Sequence, residues 1–367
     1  MASGRSRILT RAARVLAATA TVVAAWADTP AARAAPAAPT AKIERTDSHV
    51  SGEPGIALFV REVRIAGNDA GVPIVLVHGA RVPGVASFDL EVPNGSLAAD
   101  LAAGGHRVFI MDVRGYGGST RPAAMDEPAD RHPPLVRSDE AVRDLDAVVE
   151  WVKRKTGVHK VALFGWATGG HWCGMYAALH PDKVSHLVML NSLYGGTTAH
   201  PLLQGLEDPK RPGHLDPSVG AYGLAPAASL LRPWDASIPT TDKAAWRDPA
   251  VADAYVAAAL ASDPTSQTRT PPSLRAPGGA LEDSFYQATG RQLWDASLVQ
   301  AATLVLRSEL DFWSRPEDAT RLASHLVHAE RSRVVVIPRG THMVHLDRPE
   351  NGRKLLLATV LEFLRPS

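Results

Sequence analysis

The sequence predicts an α/β protein whose mostly parallel sheet is covered by helices on both faces. Three observations carry that expectation. Short runs of near-continuous Val, Leu and Ile alternate with segments of helical periodicity along most of the 367 residues. Strands buried on both faces read as such runs, and strand–helix alternation is the pattern of parallel sheets. Turn-like segments rich in Gly, His, Ser and Asp follow several of the runs, and open α/β sheets bind ligands at that edge.

In chain order, residues 56–65 and 74–77 are β-like and 96–103 reads as a short helix. A strand at 107–111 precedes a loop over 120–137 that is rich in Pro and charge. Residues 138–155 place Ala141, Val142, Leu145, Val148, Val149 and Val152 at helical spacing. Ser138 is the expected N-cap, with Asp139 and Glu140 in the first turn. A strand at 159–165, a helix at 168–180 and a strand at 184–190 follow. Residues 195–298 are rich in Pro, Ala, Asp and Trp with no clear strand. A segment of that length is too long for a plain loop and is expected to be a helical cap. The alternation resumes at 303–307, 316–327, 333–337 and 349–364. The core is therefore expected to comprise 51–194 and 299–367.

The N-terminus reads as a removable signal. Arg5, Arg7, Arg11 and Arg14 precede an apolar stretch from Val15 to Trp26, then Ala32-Arg33-Ala34. That is the layout of a secretory signal peptide over 1–35, with cleavage near Ala34 or Ala35. The stretch is shorter than the ~20 residues that span a bilayer, so a secreted or periplasmic protein with no stable membrane association is expected. Residues 36–50 read as a linker. With 39 basic and 38 acidic residues the net charge is +1, which gives no footprint for nucleic acid. The single cysteine, Cys173, lies inside a helix and is expected to be buried and inert. No histidine cluster has metal-ligand spacing and the dinucleotide fingerprint is absent, so neither metal nor cofactor is expected. The expected partner is a small-molecule substrate.

Four chemistry-bearing features fall just after predicted strands. His78-Gly79-Ala80 follows 74–77, and a tight turn there would aim the Ala80 N–H into a pocket. Gly165-Trp166-Ala167-Thr168-Gly169 follows the strand at 159–165 and opens a helix, the setting of a nucleophile elbow. The Thr168 N–H would point the same way, so Ala80 and Thr168 form the expected oxyanion hole. Ser308-Glu309-Leu310-Asp311 and Gly340-Thr341-His342 complete the set. The elbow's central position holds Ala167, whose methyl group cannot attack anything.

Over roughly 56–366 the sequence resembles the α/β-hydrolase superfamily, in its capped serine-hydrolase group. The resemblance rests on His78-Gly79, the loop from Asp112 to Ser119, the Gly165–Gly169 elbow, Asp311, and His342 followed by Leu346-Asp347-Arg348-Pro349-Glu350. It implies an α/β-hydrolase fold and the order nucleophile, acid, histidine at Ala167, Asp311 and His342. His342 would take and return the proton, and Asp311 would hold its tautomer. The family pattern favours Asp311 over Glu309 and His342 over His345. Asn191-Ser192, where some relatives place the acid, carries no carboxylate. His78 is expected to pack the turn, Asp112 and Arg114 to brace their loop, and His345 to be packed or solvated. Arg81, Trp166 and His171 are the candidate substrate contacts, with Phe88 beside them. Trp234, Trp246 and Trp294 fit either an apolar substrate wall or cap-to-core packing.

Three readings of Ala167 follow. It stands for a replaced serine in an enzyme of ester-type acyl transfer. It is a natural alanine in an enzyme whose His342–Asp311 pair activates water or abstracts a substrate proton. Or the chain binds a ligand without turnover.

Overall fold

A computed structural model of the chain describes residues 42–201 and 203–365; the expected signal peptide lies outside them. Eight strands form one sheet in the order β1-β2-β4-β3-β5-β6-β9-β10. β1 (Ile43–Ser51) pairs antiparallel with β2 (Ala57–Ile65), and β2 pairs antiparallel with β4 (Val108–Met111). The rest are parallel: β3 (Ile74–Val77), β5 (Val161–Trp166), β6 (Val184–Leu190), β9 (Ala302–Ser308) and β10 (Ser332–Ile337). Every residue of β3, β4 and β5 is buried, as expected for central strands covered on both faces.

β1 corrects the expected linker over 36–50. Its sequence, IERTDSHVS, is half-buried or exposed at every position but Val50, an edge-strand pattern too polar to register as an apolar run.

The helices follow the chain. α1 (Gly84–Phe88) follows β3; α2 (Leu97–Ala103) begins at Ser96, whose hydroxyl accepts the Ala99 N–H. α3 (Ser138–Thr156) buries the predicted apolar face. Ser138 is not its N-cap, however, but its first helical residue, with Arg137 in the cap position. α4 (Thr168–Leu179) follows β5. It is buried nearly all round because it packs against β5, β6 and α3.

The segment between β6 and β9 is not wholly helical. β7 (Tyr222–Pro226) and β8 (Ser273–Pro277) form a two-stranded antiparallel sheet, accompanied by α5 (Ala227–Leu230), α6 (Arg232–Ser237), α7 (Pro249–Ala261) and α8 (Gly279–Ala288). Two tryptophans of this insertion reach back to the C-terminal part of the core. Trp234 Nε1 donates to Asp347 at 2.7 Å and Trp246 Nε1 to the Arg339 carbonyl at 3.1 Å. α9 (Pro316–His325) packs on β9 and β10, and α10 (Arg353–Phe363) packs on α2. Among the described residues no helix is long and apolar enough to cross a membrane.

Candidate active site

The turn from β5 into α4 is built by close backbone approach. A Cβ on Gly169 would lie 2.1 Å from the Val77 carbonyl oxygen, and one on Gly165 2.2 Å from the Gly169 oxygen. Only glycine fits at either place. Ala167, between them, adopts φ 53° and ψ −119°, a left-handed conformation that costs a non-glycine residue on the order of 1–3 kcal/mol. The elbow geometry is thus kept although its central side chain is a methyl group. That methyl opens onto a cavity of about 150 Å³ whose lining includes Ala80, Arg81, Trp166, Thr168 and His342.

Two backbone amides meet there. Ala80 and Thr168 both line the cavity, and neither N–H has an acceptor among the described residues. As the first residue of α4, Thr168 has no carbonyl one turn earlier to bond. The Ala80 amide is aimed by His78. The Val113 N–H donates to His78 Nε2 at 3.2 Å, so the ring proton sits on Nδ1, which donates to the Gly79 carbonyl at 2.7 Å. That carbonyl shares a peptide plane with the Ala80 N–H, and in a trans peptide the two point in opposite directions. Complete burial holds the His78 pKa below its usual value, which keeps the ring neutral in this role. His78 therefore positions the amide, a role beyond the turn packing expected of it.

His342 stands across the cavity. Its Nδ1 donates to Asp311 Oδ1 at 2.6 Å, and its Nε2 has no hydrogen-bond partner among the described residues. Asp311 is fully buried at its side chain and also accepts the Trp313 and Ser314 N–H groups, at 2.9 and 2.8 Å, and the Ser314 hydroxyl. Four donors converging on one carboxylate fix its orientation. Phe312 and Trp166 flank the imidazole, with ring centroids 4.8 and 5.2 Å away. Trp166 Nε1 donates to the His342 carbonyl at 2.9 Å. A base with one nitrogen held by a carboxylate and the other open to a cavity, beside two free amides, can deprotonate a nucleophile and stabilise an oxyanion.

The expected residues do not all gather here. Arg81 and Trp166 line the cavity. His171 does not, which corrects the expectation that it contacts substrate. It is buried in a network in which Nδ1 accepts from Trp294 and Gln287 and Nε2 donates to Ser138, which in turn donates to Asp283. Burial lowers its pKa to about 4. Phe88, Trp234, Trp246 and Trp294 are buried outside the cavity lining. His345 packs between Phe88 and Trp166, and burial lowers its pKa to about 3. Glu309 is exposed and caps the Arg339 N–H. Cys173 is buried and its thiol pKa is pushed up by desolvation. Asp112 accepts the Gly84 and Gly118 amides, and Arg114 pairs with Asp144, so both brace their loop.

Two residues matter more than their sequence context signals. Asn191 Nδ2 donates to the His342 carbonyl at 3.1 Å and to Ser308 Oγ at 3.0 Å, and its Oδ1 accepts the Ser308 N–H. It ties the ends of β6 and β9 to the histidine loop. Asp347 accepts from Thr341 and from Trp234, linking the insertion to the residue before His342. Burial pushes its carboxyl up to about 7.

A model of the family described as the alpha/beta hydrolase fold matches residues 72–349. The chain belongs to this family. Among curated proteins, this α/β hydrolase is 31% identical over 124 residues to a proline iminopeptidase of Neisseria gonorrhoeae, covering 34% of each chain. It is 28% identical over 144 residues to a 2-hydroxy-6-oxononadienedioate/2-hydroxy-6-oxononatrienedioate hydrolase of Cupriavidus pinatubonensis, covering 38% of this chain and 43% of that one. The chain thus spans about a third of the first relative's length. Among solved structures, E-2-(acetamidomethylene)succinate hydrolase superposes with a TM-score of 0.58 at 19% identity, covering 88% of this chain and 99% of that one. An esterase from Exiguobacterium antarcticum superposes at 0.57 with 14% identity, covering 88% and 100%. The likeness to these solved structures shows the fold.

Proposed function

We propose that this chain is a secreted hydrolase of ester-type bonds in a small or medium apolar substrate, with residue 167 as the seat of the nucleophile. The observation that carries the reading is the pairing of His342 with Asp311 at 2.6 Å while Nε2 stays open to the cavity that Ala167, Ala80 and Thr168 share. With serine at 167, His342 Nε2 would accept the hydroxyl proton as Oγ attacks the ester carbonyl. The Ala80 and Thr168 amides would receive the oxyanion. His342 would then protonate the leaving alcohol, and water would release the acid by the same steps. The chain as it stands, with alanine, is expected to turn over slowly or not at all, since loss of a triad nucleophile costs about 10⁶ in turnover. Export rests on the basic-then-apolar layout of residues 1–35, and the insertion between β6 and β9 would serve as the cap.

The test is Ala167→Ser assayed on short 4-nitrophenyl esters and a lactone panel. A gain of at least a thousandfold is expected. A folded Ala167→Ser protein with no gain would count against the reading. A second reading is favoured by the open space before the Ala167 methyl, which exceeds the volume of one water. There His342 would activate that water directly. It predicts activity in the unaltered chain, abolished by His342→Ala and little changed by Ala167→Ser.

A further inference from the structure

The cavity at Ala167 does not end there. Ala80, Arg81 and Trp313 also line a second cavity of about 410 Å³ that runs beneath β7 and β8. The two share a wall, and Arg81 stands at the junction. Among the described residues no Asp or Glu lines either cavity. The guanidinium is held only by neutral acceptors, the Ser229 carbonyl at 3.2 Å and the Ser229 hydroxyl at 3.3 Å. Both bonds use one terminal nitrogen; Nε and the other terminal nitrogen donate to nothing among the described residues. Other sheltered arginines differ in their partners: Arg114 and Arg275 pair with Asp144 and Asp263, whereas Arg121 is held by the Gly117 and Ser262 carbonyls.

A second donor lies close by. Tyr255, on α7, lines the inner cavity and is 4% exposed, and its hydroxyl has no hydrogen-bond partner among the described residues. Arg81 lines the same cavity. A guanidinium without a counterion and an unpartnered hydroxyl, in a mainly apolar enclosure, form a receptor for an anion. A planar fork of N–H groups suits a carboxylate best.

We propose that Arg81, assisted by Tyr255, binds a carboxylate carried by the substrate itself. This deepens the ester-hydrolase reading and rests on it for the reacting end: the inner cavity takes the ester, and Arg81 holds an acidic group of the same molecule. The preferred substrates are then monoesters of dicarboxylic acids, or esters with an acidic tail, rather than neutral esters.

The experiment uses the unaltered chain first, so that binding is read without turnover. Calorimetric titration compares monobutyl esters of succinic, glutaric, adipic and suberic acids with the neutral methyl butyl diesters of the same acids. At one or more lengths the monoanion is expected to bind tenfold to a hundredfold tighter, the span that a charge-assisted hydrogen bond supplies. Arg81→Gln should abolish that preference, Arg81→Lys retain part of it, and Tyr255→Phe weaken it severalfold. Equal binding of anion and diester at every length, no binding of either, or a preference unchanged in Arg81→Gln overturns the proposal. Should Arg81→Gln not fold, Arg81→Lys decides, since a merely structural arginine leaves the anion preference intact when lysine replaces it. Turnover by Ala167→Ser separates the two proposals. If that protein hydrolyses nothing while the unaltered chain selects anions through Arg81, the hydrolase reading falls and the subsite stands. If it hydrolyses diesters as well as monoanions, and Arg81→Gln is indifferent, the subsite falls alone.

Discussion

Replacing Asp311 with asparagine probes the centre of the proposed mechanism at the cost of a single atom type. The carboxylate accepts four donors: His342 Nδ1 and the Trp313 N–H at one oxygen, and the Ser314 N–H and hydroxyl at the other. An amide keeps one oxygen. With that oxygen toward His342, the new NH₂ meets the Ser314 N–H; flipped, it meets the Trp313 N–H and forces the imidazole into its other tautomer. Either way one backbone donor loses its acceptor, which costs about 1–3 kcal/mol of stability. Either way the imidazolium formed in turnover loses its counter-charge. The comparable change in a Ser-His-Asp triad lowers turnover about 10⁴-fold, or roughly 5.5 kcal/mol of barrier. The assay is kcat/KM on 4-nitrophenyl butyrate for Ala167→Ser with and without Asp311→Asn, with thermal melting alongside. In the unaltered chain, the nitrogen-15 shifts of His342 should report an Nδ1-protonated ring. A fall in kcat/KM of less than tenfold, with the fold intact, would refute Asp311 as the residue that orients His342.

Glu309→Gln in the Ala167→Ser protein should leave kcat/KM within twofold, because Glu309 is exposed and bonds only the Arg339 amide; a large loss would reassign the acid. Trp166→Phe removes one of two donors to the His342 carbonyl, Asn191 Nδ2 being the other, and should cost about 0.5–1.5 kcal/mol in denaturant unfolding, with a larger fall in kcat than in binding. Stability against pH should respond to Asp347. Its folded pKa, raised to about 7, means the native state holds a proton that the unfolded chain has released. Its contribution is therefore present at low pH and lost as pH rises toward 7. Asp347→Asn should steepen the rise of stability between about pH 4.5 and 6.5 by about 1.4 kcal/mol per pH unit. His345→Phe should act oppositely below about pH 6: its folded pKa, lowered to about 3, gives a contribution present above the unfolded value and lost on acidification, so removing it flattens the curve.

What could be read from the sequence followed the strength of local pattern. β3, β5 and β9 announce themselves because burial on both faces demands unbroken apolar runs. β1 escapes because an edge strand can be polar: its ladder with β2 sets Glu44 against Arg64 and Asp47 against Arg61 as ion pairs rather than apolar contacts. β7 and β8 escape because each is five residues long and ends in proline. At the site, the elbow, Asp311 and His342 carry motif order. His171 misleads because α4 is buried nearly all round, so periodicity cannot say which face meets the cavity. Its partners, Ser138, Gln287 and Trp294, come from distant parts of the chain. Asn191 and Asp347 act through contacts more than a hundred residues away in sequence, and no local pattern encodes those.

The left-handed turn at Ala167 has a consequence for what can be built on this chain. Its shape is imposed by Gly165, Gly169 and the Val77 carbonyl, not by any side chain at the apex. Position 167 therefore behaves as a socket in a rigid frame. Serine, cysteine or aspartate placed there would each be presented at the same spot, to the same imidazole and the same pair of amides. One scaffold could then host an oxyester, a thioester and an acid-anhydride intermediate in turn. Differences in rate among the three would report the chemistry of the attacking atom, with the surrounding architecture held constant.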